Sequence, residues 1–370
     1  MFQYIFPHCK LRILPVLLLL FALHPPILAQ VTNTGFADST AGIVLGNGQL
    51  VLGAQLDMYY SMAQPGYTRV PQLVSSATLN QWDVNLALLD LRYRGASVRS
   101  RITPGYGSYL RRNYTSEEPH LLEASLGVKP LKNKNLWVDV GILGSPFTNE
   151  SPISRDQPTY TRSLSAEFVP YYLCGIRLGY EWNARLNTYL YLVNGWQQIN
   201  DRVVGQGLIA QFEYRPTPTL LLNFNYFRSR EQHASRFTPT SGASATDTRD
   251  LIDFYAIYRS RKGRLITASL YRGIQAGDVW TQANLLAEIP VAPTVAANVR
   301  VEQLNDPGGV VVGREQPGKS PRLWGYSSGL KWQISNKILW RLEYRRLNGL
   351  FEVQPVKPFS YLTLHAGIVL

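Results

Sequence analysis

Beyond its first thirty residues the chain holds three histidines, His120, His233 and His365, and one cysteine, Cys174. A histidine beside a serine or a carboxylate is the usual acid–base or nucleophile-activating group. None of the three stands in such a motif. His120 opens a predicted strand next to a long loop, His233 follows Glu231 by two residues in another loop, and His365 falls in mid-strand. Cys174 stands alone, which leaves neither a disulfide partner nor a Cys/His metal spacing in that stretch. It reads as a small apolar side chain. No catalytic residue, metal ligand set or cofactor follows from these positions; an enzyme with a Ser–His or Asp–His pair is one rival reading, and a structural or adhesive protein without an open pore is the other.

The residues that do recur in a pattern are charged. Asp57, Arg99, Arg101, Arg177, Arg300, Glu302, Arg341, Glu343 and Arg345 alternate with oily or small neighbours. Fixed charges at alternate positions suit the steering of hydrated ions and small polar solutes.

The elements that carry them are strands. Leu220, Leu222, Phe224 and Tyr226 enclose Asn223 and Asn225, and Ile338, Trp340, Leu342 and Tyr344 alternate with Arg341, Glu343 and Arg345. Period two places one residue set on each face of a strand. The pattern predicts sixteen strands: 50–60, 82–94, 96–105, 120–129, 135–143, 171–182, 185–194, 205–214, 219–229, 250–260, 264–273, 278–289, 294–304, 323–334, 338–347 and 358–370. Fourteen to eighteen is the range, because the second and third strands contain phase slips; Leu88 and Leu89 are adjacent, as a bulge requires. Short and long links alternate, except that 274–277 is short where a long link is due. A soluble sandwich has no reason for this alternation. A transmembrane antiparallel up-and-down β-barrel does, with tight turns at one end and loops at the other. An even count then leaves both chain ends in the periplasm. Tyr59, Tyr60, Trp82, Tyr171, Tyr172, Tyr180, Trp182, Tyr226, Phe227, Trp280, Trp324, Tyr326, Trp332, Trp340 and Tyr361 cluster near predicted strand ends, where lipid–water girdles are expected.

One long apolar run exists, Ile13 to Ala22, preceded by Lys10 and Arg12 and followed by Pro25-Pro26 and Ala29. It reads as a signal peptide, 1–29. Residues 30–49 are expected to form an N-terminal periplasmic segment, and 50–370 the barrel. The net charge is +12, of which the leader accounts for only two. Scattered arginines without a basic run or stacking motif do not suit nucleic acid. The expected partners are outer-membrane lipid, the barrel-insertion machinery, small hydrophilic solutes or ions, and further copies in a homo-oligomer.

Sixteen strands enclose a lumen wide enough for water. The inward phase should carry the nine charges named above, with arginine in excess, and unpaired burial of so many is costly. A water-filled channel with mild anion preference follows. The longest link, 144–170, is stiffened by Pro146, Pro152 and Pro158. If it folds inward, Glu150, Arg155, Asp156 and Arg162 would line a constriction.

Several segments carry a resemblance. Gln55-Leu56-Asp57-Met58-Tyr59-Tyr60, Trp137-Val138-Asp139-Val140-Gly141, Tyr160-Thr161-Arg162-Ser163-Leu164, Gly175-Ile176-Arg177 and Val193-Asn194-Gly195-Trp196 occur in this order. Together they resemble the OmpL-like β-barrel porins, often seen in Bacteroidetes, most clearly over about 50–230. The resemblance implies an outer-membrane barrel with a pore of undefined substrate. Many such barrels end in an aromatic residue read during insertion; Gly367-Ile368-Val369-Leu370 departs from that pattern.

Overall fold

The computed structural model describes residues 42–70, 73–114, 120–200, 205–232, 246–312, 322–349 and 358–370. The expected leader 1–29, most of the 30–49 segment and His233 lie outside the described residues.

Sixteen antiparallel strands close into one barrel. The first half comprises β2 (Leu50–Ala63), β3 (Trp82–Arg94), β4 (Val98–Tyr106), β5 (Leu121–Val128), β6 (Leu136–Gly144), β7 (Tyr172–Asn183), β8 (Leu186–Val193) and β9 (Gly207–Thr217). The second half comprises β10 (Leu220–Gln232), β11 (Thr246–Arg259), β12 (Leu265–Gln275), β13 (Asp278–Ala292), β14 (Val295–Asn305), β15 (Arg322–Gln333), β16 (Ile338–Asn348) and β17 (Phe359–Val369). β17 pairs with β2, from Tyr361 opposite Ala63 to Val369 opposite Gln55, and this pairing closes the ring. A closed ring has no unpaired edge, which is what a sheet needs in lipid.

The alternation governs the faces. In β14, Val299 and Val301 are exposed on the outside, while Asn298, Arg300 and Glu302 are buried within. β16 repeats this with Trp340, Leu342 and Tyr344 outside and Arg341, Glu343 and Arg345 inside. The exposed apolar surface is therefore the barrel's exterior, the side that meets lipid.

The links alternate as the sequence predicts. The exception is again clear: β12 and β13 join through Ala276–Gly277, at φ 51° and 87°. Two consecutive left-handed residues make the tight hairpin turn that matches strand twist. β2 begins and β17 ends at the end with the short turns.

Two expectations need correction. The phase slip in β3 lies at Asn85, not at Leu88–Leu89: Asp57 pairs with Leu86 and Met58 with Val84, so Asn85 is the extra residue. Leu88 then points inward and Leu89 outward in ordinary alternation. The barrel's start is not a bare strand end: β1 (Ile43–Leu45), within the 30–49 segment expected to be periplasmic, pairs back on Leu50–Leu52, which leaves that expectation standing. Second, the aromatics split by phase. Trp82, Trp182, Trp324, Tyr326, Trp332 and Trp340 are exposed on the outside, but Tyr59, Tyr171, Tyr172, Phe227, Trp280 and Tyr361 are buried. Neighbouring strand residues face opposite ways, so nearness to a strand end cannot decide which aromatics reach lipid.

The inward aromatics have a different task. Leu143, Leu173, Val193, Ile209, Phe227, Leu251, Tyr271, Trp280, Leu304, Leu323, Leu347 and Phe359 form an apolar ring inside the long-loop end. Val70, Leu73, Phe147, Leu164, Phe168, Val169 and Val312 of the loops pack against it. A helix, Ser108–Asn113, lies against β3 and places Leu110 on Leu86, Leu88 and Leu122.

Candidate lumen constriction

β6 leads into the link 145–171, nearly all of it buried. Gly141 prepares this path. Its φ is +123°, and a Cβ there would meet the Ala124 carbonyl oxygen at 2.1 Å, so only glycine lets the strand run this close to β5. The link then crosses the barrel interior. Asn225 of β10 donates to the Pro146 carbonyl at 3.0 Å. Asn298 of β14 donates to the Pro158 carbonyl at 3.2 Å, and Asn284 of β13 donates to the hydroxyls of Ser163 and Ser165.

The tightest contacts are ionic. Arg300 donates to the Thr161 carbonyl at 2.6 Å, the Thr161 hydroxyl at 2.7 Å and the Ser327 hydroxyl at 2.8 Å. It also meets Glu343 at 3.1 Å. Glu343 accepts from the Thr161 amide and hydroxyl, both at 2.7 Å. Arg345 pairs with Glu302 at 2.6 Å and donates to the Arg162 carbonyl. Glu302 in turn accepts from the Leu164 amide. Arg341 donates to the carbonyls of Ser154 and Gln157, both at 2.6 Å. Charge-assisted bonds to backbone, doubled by ion pairs, are the strong class of hydrogen bond. They fasten this link to the β13–β17 wall.

Asp57 of β2 and His365 of β17 meet at 2.9 Å, both fully buried. Tyr160 stacks on His365 with centroids 4.1 Å apart. The other imidazole nitrogen faces Arg341 at 3.5 Å, so the pair has no nucleophile to activate on that side.

The opposite wall has a second set. Arg99 forms a two-bond fork with Asp139 at 2.7 Å, and Arg177 shares that carboxylate at 3.0 Å. Arg101 forks onto Asp90 at 2.8 Å and reaches Glu123 at 3.2 Å; Arg92 also contacts Asp90. Arg99 lies over the Trp137 ring at 4.3 Å, and Arg177 lies 5.8 Å from the Tyr189 ring centre. The Arg99 side chain is 30% exposed and that of Arg177 18%.

The sequence reading treats the six arginines alike, and the structure divides them. Arg300, Arg341 and Arg345, with Asp57, Glu302 and Glu343, lie beneath the link and out of solvent's reach. Charge there is balanced by ion pairs and carbonyls rather than by water. Arg99, Arg101 and Arg177 line the uncovered wall. Within the link, Glu150 and Arg162 are buried: Glu150 accepts from the Ser163 amide, and Arg162 donates to the Glu150 carbonyl. Both brace the link's own turn, and the Glu150 carboxylate also faces Arg300 of the wall at 3.7 Å. Arg155 is half-exposed; it and Asp156 form a single 3-10 turn. Sequence reasoning missed Thr161, Ser163 and Asn284, whose neutral side chains gave no sign of partners so far along the chain. Among the described residues no group of three His, Cys, Asp or Glu side chains could hold a metal.

A closed sixteen-stranded barrel, oily outside and charged within, with a long link folded into its lumen, defines the porin class of outer-membrane protein. The fold comparison agrees. The outer-membrane channel DcaP of Acinetobacter baumannii is similar with a TM-score of 0.60 at 11% identity, over 89% of this chain and 100% of that one. An anion-selective porin from Comamonas acidovorans gives 0.55 at 9%, over 87% and 99%. The trimer form of OmpT from Vibrio cholerae gives 0.56 at 12%, over 87% and 99%. At such identities the likeness shows the fold alone. The family is shown by sequence: the chain belongs to "Putative beta-barrel porin-2, OmpL-like", which matches residues 49–364. No curated protein matches it.

Proposed function

We propose that this barrel is a non-enzymatic channel for small hydrophilic solutes or ions, mildly selective for anions. Its path runs between the link 145–171 and the β4–β9 wall. The observation that carries the reading is the uneven cover of the lumen. The β13–β17 wall is sealed by the link, while Arg99, Arg101 and Arg177 keep partial exposure on the other side. With Arg92 and Asp90 of the adjoining β3, and Arg215 and Glu213 of β9, five arginines there face four carboxylates, Asp90, Glu123, Asp139 and Glu213. In this reading the short turns and both ends of the barrel chain are periplasmic and the long links lie outside. The barrel works singly or as a homo-oligomer, as the trimer form among its structural neighbours suggests.

A second reading, a structural or adhesive barrel without an open pore, draws support from the apolar ring packed against the loops. Planar-bilayer recording separates the two. Folded, inserted protein should give stable unitary currents; insertion without current would sink the channel reading and favour the structural one.

A further inference from the structure

Behind the root of the link lies a set of buried oxygens that the ion-pair network leaves unused. Asp253 of β11 is fully buried, and neither carboxylate oxygen receives a hydrogen bond of proper geometry. The groups acting on it are Asn225 and the Thr148 backbone, with no basic side chain among them. The ladder sets Asn225 directly across from Asp253 on one side and Tyr271 directly across on the other. Ser269 is the next inward residue along β12. Asn225 gives its N–H to Pro146 and also faces Asp253 with its side chain, while its Oδ1 has no partner; the hydroxyls of Tyr271 and Ser269 face each other and Thr148 without a hydrogen bond of proper geometry. These side chains are 0% to 1% exposed.

From the lumen side Thr148 closes over the group with φ +116°, a strained value for a β-branched residue. Asn225, Asp253 and Tyr271 are directly opposed, with Cβ atoms ~5 Å apart, and Ser269, which stands opposite Tyr255, is the diagonal neighbour at ~7–8 Å, still within a side chain's reach. A buried carboxylate without a counter-charge is strongly unfavourable. A carboxylate, an amide oxygen and two hydroxyls are the donors of a hard cation, not the nitrogen and sulfur set of zinc or copper.

We propose that Asp253, Asn225, Ser269 and Tyr271 form a calcium-class cation site that ties the root of the link 145–171 to β10–β12. The site does not depend on whether the lumen conducts. Terbium(III) is the probe, because it replaces calcium at oxygen sites and Tyr255 and Tyr271 can sensitise its emission. The protein is refolded into detergent without lipopolysaccharide and stripped with chelator. Saturable tyrosine-sensitised emission is expected, displaced by Ca2+, weakened severalfold in Ser269→Ala and abolished in Asp253→Asn. Ca2+ should also raise the thermal unfolding midpoint of the parent protein. Asp253→Asn keeps the side chain's size and removes only the charge; if it does not refold, the Ca2+ competition and Ser269→Ala decide alone. Emission that is absent, not displaced by Ca2+ or unchanged in the variants overturns the site.

Discussion

Arg300 and Glu343 are removed from water and bond to each other and to Thr161, while Arg300 also bonds to Ser327 and faces Glu150 and Glu302. Desolvating two charges costs several kcal/mol each, and the pair recovers this only while every partner is present. Removing one partner is therefore worse than removing both. Glu343→Ala should weaken docking of the link by about 3–5 kcal/mol, and the double variant Arg300→Met with Glu343→Leu by less, because Glu302 keeps Arg345 and Glu150 keeps Arg162. Limited proteolysis of folded protein in detergent measures this as cleavage near Arg155. Equal cleavage in single and double variants would show that the pair does not hold the link. The same residues mark what the sequence could disclose. Inward charge at Arg300, Glu302, Arg341, Glu343 and Arg345 was legible, because period two assigns a face to each. Their partners were not legible, since Thr161 sits 182 residues from Glu343 and a threonine in a loop advertises no such contact.

The strands were legible as elements because each has its signal inside itself: alternation over ten residues and a turn at either end. The long link was legible only as long and proline-rich. Its course depends on Gly141, on the apolar ring and on the arginines of β14 and β16, all far away in sequence. The aromatics fail as girdle markers for the same reason in reverse. Tyr171, Phe227 and Trp280 near strand ends serve the packing of loops instead of the lipid boundary. A link inside the lumen has a direct consequence. The sheet ladder closes through β17 and β2 without it, so deleting 149–158 should leave the barrel folded and raise its conductance. Bilayer recording with a solute-size series measures both. Unchanged conductance and an unchanged size limit would mean that the link does not set the bore.

At the scale of the whole barrel, the lumen has one sealed flank and one charged, partly open flank. Solutes respond to the charge near their path, and a field in ~0.1 M salt reaches only ~10 Å. Arg300 and Arg341 are covered by the link, so their charge is balanced locally by Glu343, Glu302, Glu150 and carbonyls. Arg99 and Arg177 stand on the open flank, where the two share a single carboxylate, Asp139. Arginine stays charged across working pH, so this excess does not titrate away. The reversal potential in a salt gradient should show mild anion preference, larger at low salt. Arg99→Gln with Arg177→Gln should reduce or reverse it while conductance changes little. Arg300→Gln with Arg341→Gln should do the opposite, loosening the link and altering conductance more than selectivity. Clear cation preference in the parent protein, or a selectivity change confined to the second pair, would place the conducting path along the β13–β17 flank instead.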